Sequence, residues 1–333
     1  MISVALDTPF SIGSVPVRNR VVLAPMSGVT DLPFRQLAFG FGAGLVVTEM
    51  VASRELVFNA AESWSRLKGA GLDPHMVQLA GREAKWLAEA AVIAEANGAD
   101  IIDINMGCPA KKVIGGYAGS ALMREPDHAL SLIEATVKAV KIPVTVKMRL
   151  GWDEATINAP EIAARAEAAG VQLITVHGRT RMQFYEGRAD WGAIAAVRDA
   201  IRIPLIANGD VETVEDAHEI LRRSGADAVM VGRSCQGRPW HAGVLAGHSG
   251  PAQSDIPGLV VGHYRAMLEH YGEDVGVRHA RKHLGWYLDR LAPDLGPDTK
   301  SAIMTSKDAG FVAEALERVL SGRGGAGARQ EAA

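Results

Sequence analysis

Cysteine is scarce in this sequence: the 333-residue chain holds two, Cys108 and Cys235, with no CxxC spacing between them. Two thiols so placed supply neither a disulfide framework nor a structural zinc site, and they fit a reducing cytoplasm. Long apolar runs are also missing. Glu interrupts the Ala-rich "WLAEAAVIAEA" far short of membrane-spanning length, and "MISVALDTPFSIGSVPVRNR" lacks the basic start and apolar core of a signal peptide, so the chain reads as soluble. An excess of one charge is absent too, since 35 Lys and Arg stand against 38 Asp and Glu for a formal net charge of -3. That balance excludes coating of nucleic acid by bulk charge and leaves room for a local basic face. A dinucleotide-binding fingerprint is missing as well. Gly322, Gly324 and Gly327 have GxGxxG spacing, but they follow a helical pattern with only six residues to come, where the motif needs a strand before and a helix after.

What is present is an ordinary globular balance, 48% hydrophobic and 22% charged, with length enough for a large core. Eight short apolar segments recur: "VVLAPMSG", "GLVVTEMV", "HMVQLAG", "DIIDINMGCP", "PVTVKMRLGW", "LITVHGRT", "PLIANGDV" and "AVMVGRSCQG". They read as buried parallel strands, and helical patterns such as "EPDHALSLIEATVKAVKI" and "VETVEDAHEILRRSGA" lie between them. The alternation predicts an α/β fold, a (β/α)8 TIM barrel, in preference to a doubly wound sheet. The preceding "FSIGSVPVRNR" reads as a hairpin that plugs the barrel's bottom. The reading assigns 1–246 to the barrel, 247–258 to a Gly/Ser/Pro linker, 259–320 to an all-α helical domain and 321–333 to a disordered tail. A monomer is expected.

Barrel chemistry sits at the C-terminal strand ends. Those ends carry Pro25, Met26 and Ser27; Gln78; Asn105 and Cys108; Lys147 and Arg149; His177 and Arg179; Asn208, Gly209 and Asp210; Gly232 and Arg233. The last two turns suit phosphate held by backbone N–H groups, although "NGD" by itself is also a plain turn. Lys147 interrupts an apolar strand, so it either pairs with a carboxylate such as Glu49 or Asp103 or meets a ring with electron-accepting carbonyls. Cys108 is either a small buried hydrophobe or a reactive thiol. Its place after Gly107 and beside the Gly-rich "AKKVIGGYAG", a candidate lid, favours proton donation or nucleophilic attack. Cys235 reads as packing.

The motifs "LAPMSGVTDLPFR", "INMGCPAKKV", "VKMRLGW", "HGRTRMQFYEGRADW", "IANGDV" and "VGRSCQGRPW" together resemble the tRNA-dihydrouridine synthases, and "RKHLGWYLDRL" resembles the C-terminal domain of the family's bacterial B-type branch. The resemblance runs from about Ile12 to Leu320. It implies FMN against Pro25, Met26 and Ser27, with Gln78 and Lys147 on the isoalloxazine. His177, Asn208, Gly209, Asp210, Gly232 and Arg233 would hold the ribityl chain and phosphate. It implies that NADPH is the electron donor, that Cys108 is the general acid, and that a specific uridine in the tRNA D-loop becomes 5,6-dihydrouridine. Asn105, Arg149 and Arg179 are expected to meet the substrate, while Arg281 and Lys282, with Arg278 and Arg290 nearby, are expected to grip tRNA. No metal is implied. Two rivals share these features: a flavin reductase of a free pyrimidine or small enone, and a non-catalytic RNA-binding module on a degenerate barrel. Intact Cys108, Lys147 and Arg149 argue against the second.

Overall fold

In the computed structural model, which describes residues 5–115 and 118–322, the chain opens with an antiparallel hairpin of β1 (Phe10–Ile12) and β2 (Val15–Val17). Then follow β3 (Val21–Leu23), β4 (Leu45–Val46), β5 (Val51–Ala52), β6 (Met76–Ala80), β7 (Ile101–Met106), β8 (Val144–Arg149), β9 (Leu173–His177), β10 (Leu205–Asn208) and β11 (Ala228–Val231). These nine form one sheet of parallel pairs in the order β4-β3-β11-β10-β9-β8-β7-β6-β5.

Its two ends, β4 and β5, belong to one continuous segment that pairs β3 on one side and β6 on the other, with Val47 bridging to Met76. The sheet is therefore a closed (β/α)8 barrel of eight staves. The single strand expected across "GLVVTEMV" is broken in its middle. There Thr48 Oγ1 accepts from the Gln78 amide and donates to the Glu49 carbonyl, replacing ladder bonds with side-chain ones.

Strand alternation divides each stave between two environments. Ile102, Ile104, Val146, Met148, Ile174 and Val176 face the outer helices in the main core. At the bottom of the interior, Val22, Met76, Ile101, Leu173, Ile206 and Ala228 pack against Ile12 and Val17, so the hairpin closes that end as expected. Higher on the same inward faces stand Gln78, Asp103, Asn105, Thr145, Lys147, Arg149, Thr175, His177 and Asn208, two residues apart within each strand. Polar side chains are thereby stacked at the C-terminal mouth, where burial makes an unpartnered group costly.

The helices are α1 (Leu32–Gly40), α2 (Ser53–Val57), α3 (Ala61–Leu67), α4 (Ala84–Ala96), α5 (Lys111–Ile114), α6 (Pro126–Ala139), α7 (Ala159–Ala168), α8 (Ala195–Ala200), α9 (Val214–Ser224) and α10 (His241–Leu245) around the barrel. Beyond it come α11 (Ile256–Tyr271), α12 (Glu273–Leu291), α13 (Pro297–Thr305) and α14 (Ala309–Leu320). The last four share a core of their own, including Val260, Tyr264, Leu284, Tyr287, Val312 and Leu316. The linker expected over 247–258 is shorter than its Pro and Gly suggested. A helix already starts at Ile256, with Pro257 in its first turn, where a missing N–H costs nothing. Most of the expected disordered tail, 323–333, lies outside the described residues. Among those described, no helix is long and apolar enough to cross a membrane.

The helical region packs on the barrel through polar and aromatic groups. Phe34 of α1 lies 5.4 Å from the His283 ring, Arg290 Nε donates to the Gln236 carbonyl, and Tyr271 Oη donates to Asp31 Oδ2 at 3.1 Å. Asp31 also caps α1 by accepting from the Phe34 amide. Burial pushes its carboxyl up to about 6, against the Phe34 hydrogen bond. Since the folded value lies above the unfolded one, the group favours folding on the acid side, and its contribution is lost as pH rises through about 6. Asp31→Asn, which keeps a cap acceptor, is expected to raise stability at pH 8 by roughly 1–3 kcal/mol and to leave it unchanged near pH 4. Urea midpoints at the two pH values check this; a loss at pH 8 would show that the charge stabilises through Arg35, a buried guanidinium on α1 whose charge opposes the rise.

Candidate active site

At the mouth, a relay of hydrogen bonds runs from a buried carboxylate to the Cys108 loop. Asp103 accepts from Thr145 Oγ1 and Gln78 Nε2, both at 2.6 Å. Gln78 Oε1 accepts from Asn105 Nδ2 at 2.7 Å, and Asn105 Oδ1 accepts from the amides of Gly107 and Cys108 at 3.3 and 3.1 Å. Each amide orientation is thus dictated by the one before it. Burial pushes the Asp103 carboxyl up to about 6, against the hydrogen bonds from Thr145 and Gln78.

On its other side the Cys108 carbonyl accepts from Ser120 N and Oγ at 3.1 and 2.8 Å. Gly119 makes this return possible. Its φ is +61°, and a Cβ there would lie 2.9 Å from the Cys108 carbonyl oxygen. The thiol is free and half-buried. Burial pushes it above the usual thiol range despite the Ala110 amide and the charges of Arg149 and Lys147, so it holds its proton at neutral pH. Gly116 and Tyr117 of the expected lid lie outside the described residues.

Lys147 points into the barrel and donates to Asn208 Oδ1 at 3.2 Å; Asn208 is oriented in turn by donating to the Met230 carbonyl. No ion pair engages Lys147 among the described residues, so neither Glu49 nor Asp103 is its salt-bridge partner. Burial, then Arg149, brings its ammonium down to about 8. Beside it in register, Thr175 carries a buried hydroxyl with no partner among the described residues.

At the last strand ends, Asp210 gathers two guanidiniums, Arg179 at 2.5 Å and Arg233 at 2.9 Å. Partial burial raises the Asp210 carboxyl, but the Arg179 and Ala189 hydrogen bonds and both cations hold it below the usual range. Arg179 is buried and also donates to the carbonyls of Glu186 and Gly187 and to His177 Nε2. A guanidinium only donates, so Nε2 accepts and the neutral imidazole carries its proton on Nδ1. Burial and the surrounding cations keep His177 well below its usual value. Gly209 has φ +129°, and a Cβ there would lie 2.6 Å from Ala189 Cβ, so glycine is required. A Cβ on Gly232 would lie 3.3 Å from Met26 Sδ, which brings "APMSG" beside "GR". Pro25 and Met26 are half-buried and Ser27 is exposed.

The structure gives several expected contacts other work. Arg149 Nε donates to the Gly107 carbonyl, and Nη1 donates to those of Thr180 and Phe184, lacing the Cys108 loop to the loop after β9. Arg281 donates to the carbonyls of Thr305 and Ser306 at the end of α13, and Arg290 is held against the barrel. Lys282, by contrast, reaches the mouth, where a Cβ on Gly28 would collide with its Nζ. Arg278 is exposed. Tyr185, in the loop beyond β9, joins these residues although it stands at no strand end. This ring is 52% exposed and lies 5.4 Å from the Arg149 guanidinium and 5.2 Å from that of Arg233. Its signal was "MQFYEGR", an aromatic loop directly beyond a strand end, entered through Phe184 at φ +47°.

Comparison with known proteins gives the rim its context. Residues 22–317 match the dihydrouridine synthase (Dus) family. A probable tRNA-dihydrouridine synthase of Rhizobium leguminosarum bv. phaseoli is 75% identical over 304 residues, covering 91% of this chain and 96% of the relative. A tRNA-dihydrouridine synthase B of Xanthomonas campestris pv. campestris is 47% identical over 284 residues, covering 83% and 86%. Among solved structures, morphinone reductase superposes with a TM-score of 0.55 at 15% identity over 76% of this chain and 92% of its own. At that identity the likeness is one of fold. With the family matched across the barrel and the helices beyond it, and with close relatives covered nearly end to end, the chain belongs to the dihydrouridine synthases, oxidoreductases that act on uridine in tRNA.

Proposed function

We propose that this enzyme reduces one uridine of the tRNA D-loop to 5,6-dihydrouridine, using FMN and NADPH. Family membership implies a flavin, and NADPH rests on the sequence resemblance. The observation that carries the reading is the placement, on one rim, of a free half-buried Cys108 thiol and a Lys147 ammonium that has no carboxylate partner among the described residues.

The residues present fit FMN. Lys147 and the unpartnered Thr175 hydroxyl face the barrel interior, and Gly209 and Gly232 bring backbone close to Arg233 and His177 at the strand ends where barrels hold phosphate. Pro25, Met26, Ser27 and Gln78 would flank the ring, with Gln78 keeping one N–H beyond the relay. Asp210 and Arg179 would hold the phosphate turn in place. When bound, the flavin supplies the hydride that adds to uracil C6.

Cys108 gives its proton to C5, quenching the enolate-like charge that develops across C5 and O4. Asn105 and Arg149 act mainly by fixing the thiol loop, since Asn105 Oδ1 accepts from the Cys108 amide and Arg149 Nε donates to the Gly107 carbonyl. Tyr185, the exposed ring between Arg149 and Arg233, faces the incoming nucleotide. The target base has to leave its stack to reach a barrel mouth, so the surrounding tRNA needs a grip. Lys282 at the mouth and Arg278 one turn earlier on α12 supply it.

Unmodified tRNA and free uridine, each offered with NADPH to the FMN-loaded protein, test the reading. Dihydrouridine is expected at one D-loop position of tRNA, and comparable kcat/KM on free uridine would overturn it. Reversing charge at Arg278 and Lys282 is expected to flatten the dependence of log affinity on log salt by roughly 0.7–0.9 per lost phosphate contact. An unchanged slope would move the grip elsewhere on the rim.

A further inference from the structure

One exposed aromatic cluster lies outside the site described so far. Phe58, at the end of α2, is 61% exposed, and its ring centroid lies 5.2 Å from that of Trp86 in the first turn of α4. The Arg54 guanidinium stands 5.7 Å from the Phe58 centroid, and Lys85 Nζ stands 4.4 Å from that of Trp86. Nothing in barrel packing requires this arrangement, because the inward side of α2 is already supplied by Ser53 and Leu56. A bulky ring left in water beside a second ring marks a contact surface.

Its position selects the partner. The helix α2 begins directly after β5, and α4 begins four residues after the end of β6, so both start on the C-terminal rim. The turn at Gly81 packs against Ser53, which joins the two starts. In the strand order the loop that carries Tyr185, after β9, lies across the mouth from this rim. The helix that follows Phe58, α3, meets the helical region, where Ser65 Oγ lies 3.3 Å from His270 Nε2 of α11. This rim borders the mouth that a tRNA delivering a base to Cys108 has to approach.

We propose that the exposed Phe58 ring, buttressed by Trp86 at an interplanar angle of 59°, is a stacking platform for a second, unpaired base of the tRNA, with Arg54 and Lys85 on its flanking phosphates. The inference rests on tRNA as substrate and adds a contact outside the reaction pocket. The charge pattern favours stacking over capture by field alone. Glu55 and Glu83 lie on the same turns as the two cations, and Glu62 is occupied by Arg66 at 2.6 Å, so the local excess of positive charge is small. Stacking needs no such excess, since every base offers a π-face and cations beside the rings reinforce it. An exposed ring at this place therefore serves RNA without preference for sequence.

The test uses the full-length protein with an unmodified tRNA transcript, with affinity measured at several salt concentrations. Phe58→Ala is expected to weaken binding about tenfold with the salt slope unchanged, because a stack involves no counterion release. Phe58→Tyr keeps a ring and is expected to bind as the wild type does. Phe58 is largely exposed, so both variants retain the fold, which is checked by thermal melting and flavin content. Equal tRNA affinity for the wild type and Phe58→Ala overturns the platform while leaving the activity intact. A wild type that dimerises through the patch, with Phe58→Ala monomeric and unaltered in tRNA affinity, overturns it in favour of self-association. A wild type that fails to bind tRNA overturns the substrate reading itself.

Discussion

Cys108→Ala is expected to lower dihydrouridine formation by about 10²- to 10⁴-fold, the usual worth of a positioned general acid, while cofactor content and tRNA affinity stay at wild-type levels. The separation follows from the geometry. Backbone groups of the Cys108 loop, not the thiol, make the bonds to Asn105 and Ser120, so removing Sγ leaves the loop in place. NADPH oxidation should persist without product, because the hydride source is untouched. The pH profile gives an independent readout. Burial raises the thiol above its ordinary value of 9.0, and the protonated form is the active one. Turnover should therefore hold through neutral pH and fall only on the alkaline side, and alkylation by iodoacetamide should follow the inverse profile. Cys235, fully buried and pushed up to about 12, should not react in the folded protein. Near-normal tRNA turnover by Cys108→Ala would return the residue to packing.

Lys147→Met should separate stability from function. The half-buried ammonium is brought down to about 8, first by loss of water and then by Arg149, so charging it in the cofactor-free protein is costly. The drop from 10.5 to about 8 corresponds to about 3 kcal/mol as an upper figure. Because the folded value lies below the unfolded one, this cost is complete below pH 8 and disappears as pH rises through 10.5. The apo-protein with methionine at 147 is accordingly expected to be more stable at pH 7.5 by roughly 1–3 kcal/mol, the gain seen when buried charge gives way to a packed apolar side chain. Its rise in stability between pH 8 and pH 10 should be flatter than that of wild type. The same substitution should strip flavin retention and turnover by at least about 10²-fold, since binding sites keep such costs where a ligand is to meet them. Denaturant midpoints of apo-protein and fluorescence of released flavin measure the two effects. A destabilised variant that still holds flavin would make Lys147 a structural partner of Asn208.

The extent of what the linear sequence could reveal follows from the range of each interaction. A strand exposes alternate residues to alternate faces, so "DIIDINM" and "VTVKMR" already put Asp103 with Asn105, and Lys147 with Arg149, on common faces. Eight repeats of strand and helix imply a barrel, and the strand-end rule puts Cys108, His177 and Asn208 at its mouth. All of that is local periodicity plus counting. Partner choice is different, because closure of the barrel brings together residues far apart in the chain. Lys147 meets Asn208 rather than Glu49 or Asp103, and Asp210 collects both Arg179 and Arg233, only because the staves stand in this register. The break at Thr48 is likewise a tertiary event, since the competing acceptor is offered to Gln78 on the next stave. On α12, neighbouring residues differ by about 100° in direction. "RKH" therefore carries no indication that Arg281 turns to α13 while Lys282 turns to Gly28 at the mouth. The sequence by itself determined which side chains share a face; only the packing of that face against elements distant in the chain decided what each one touches.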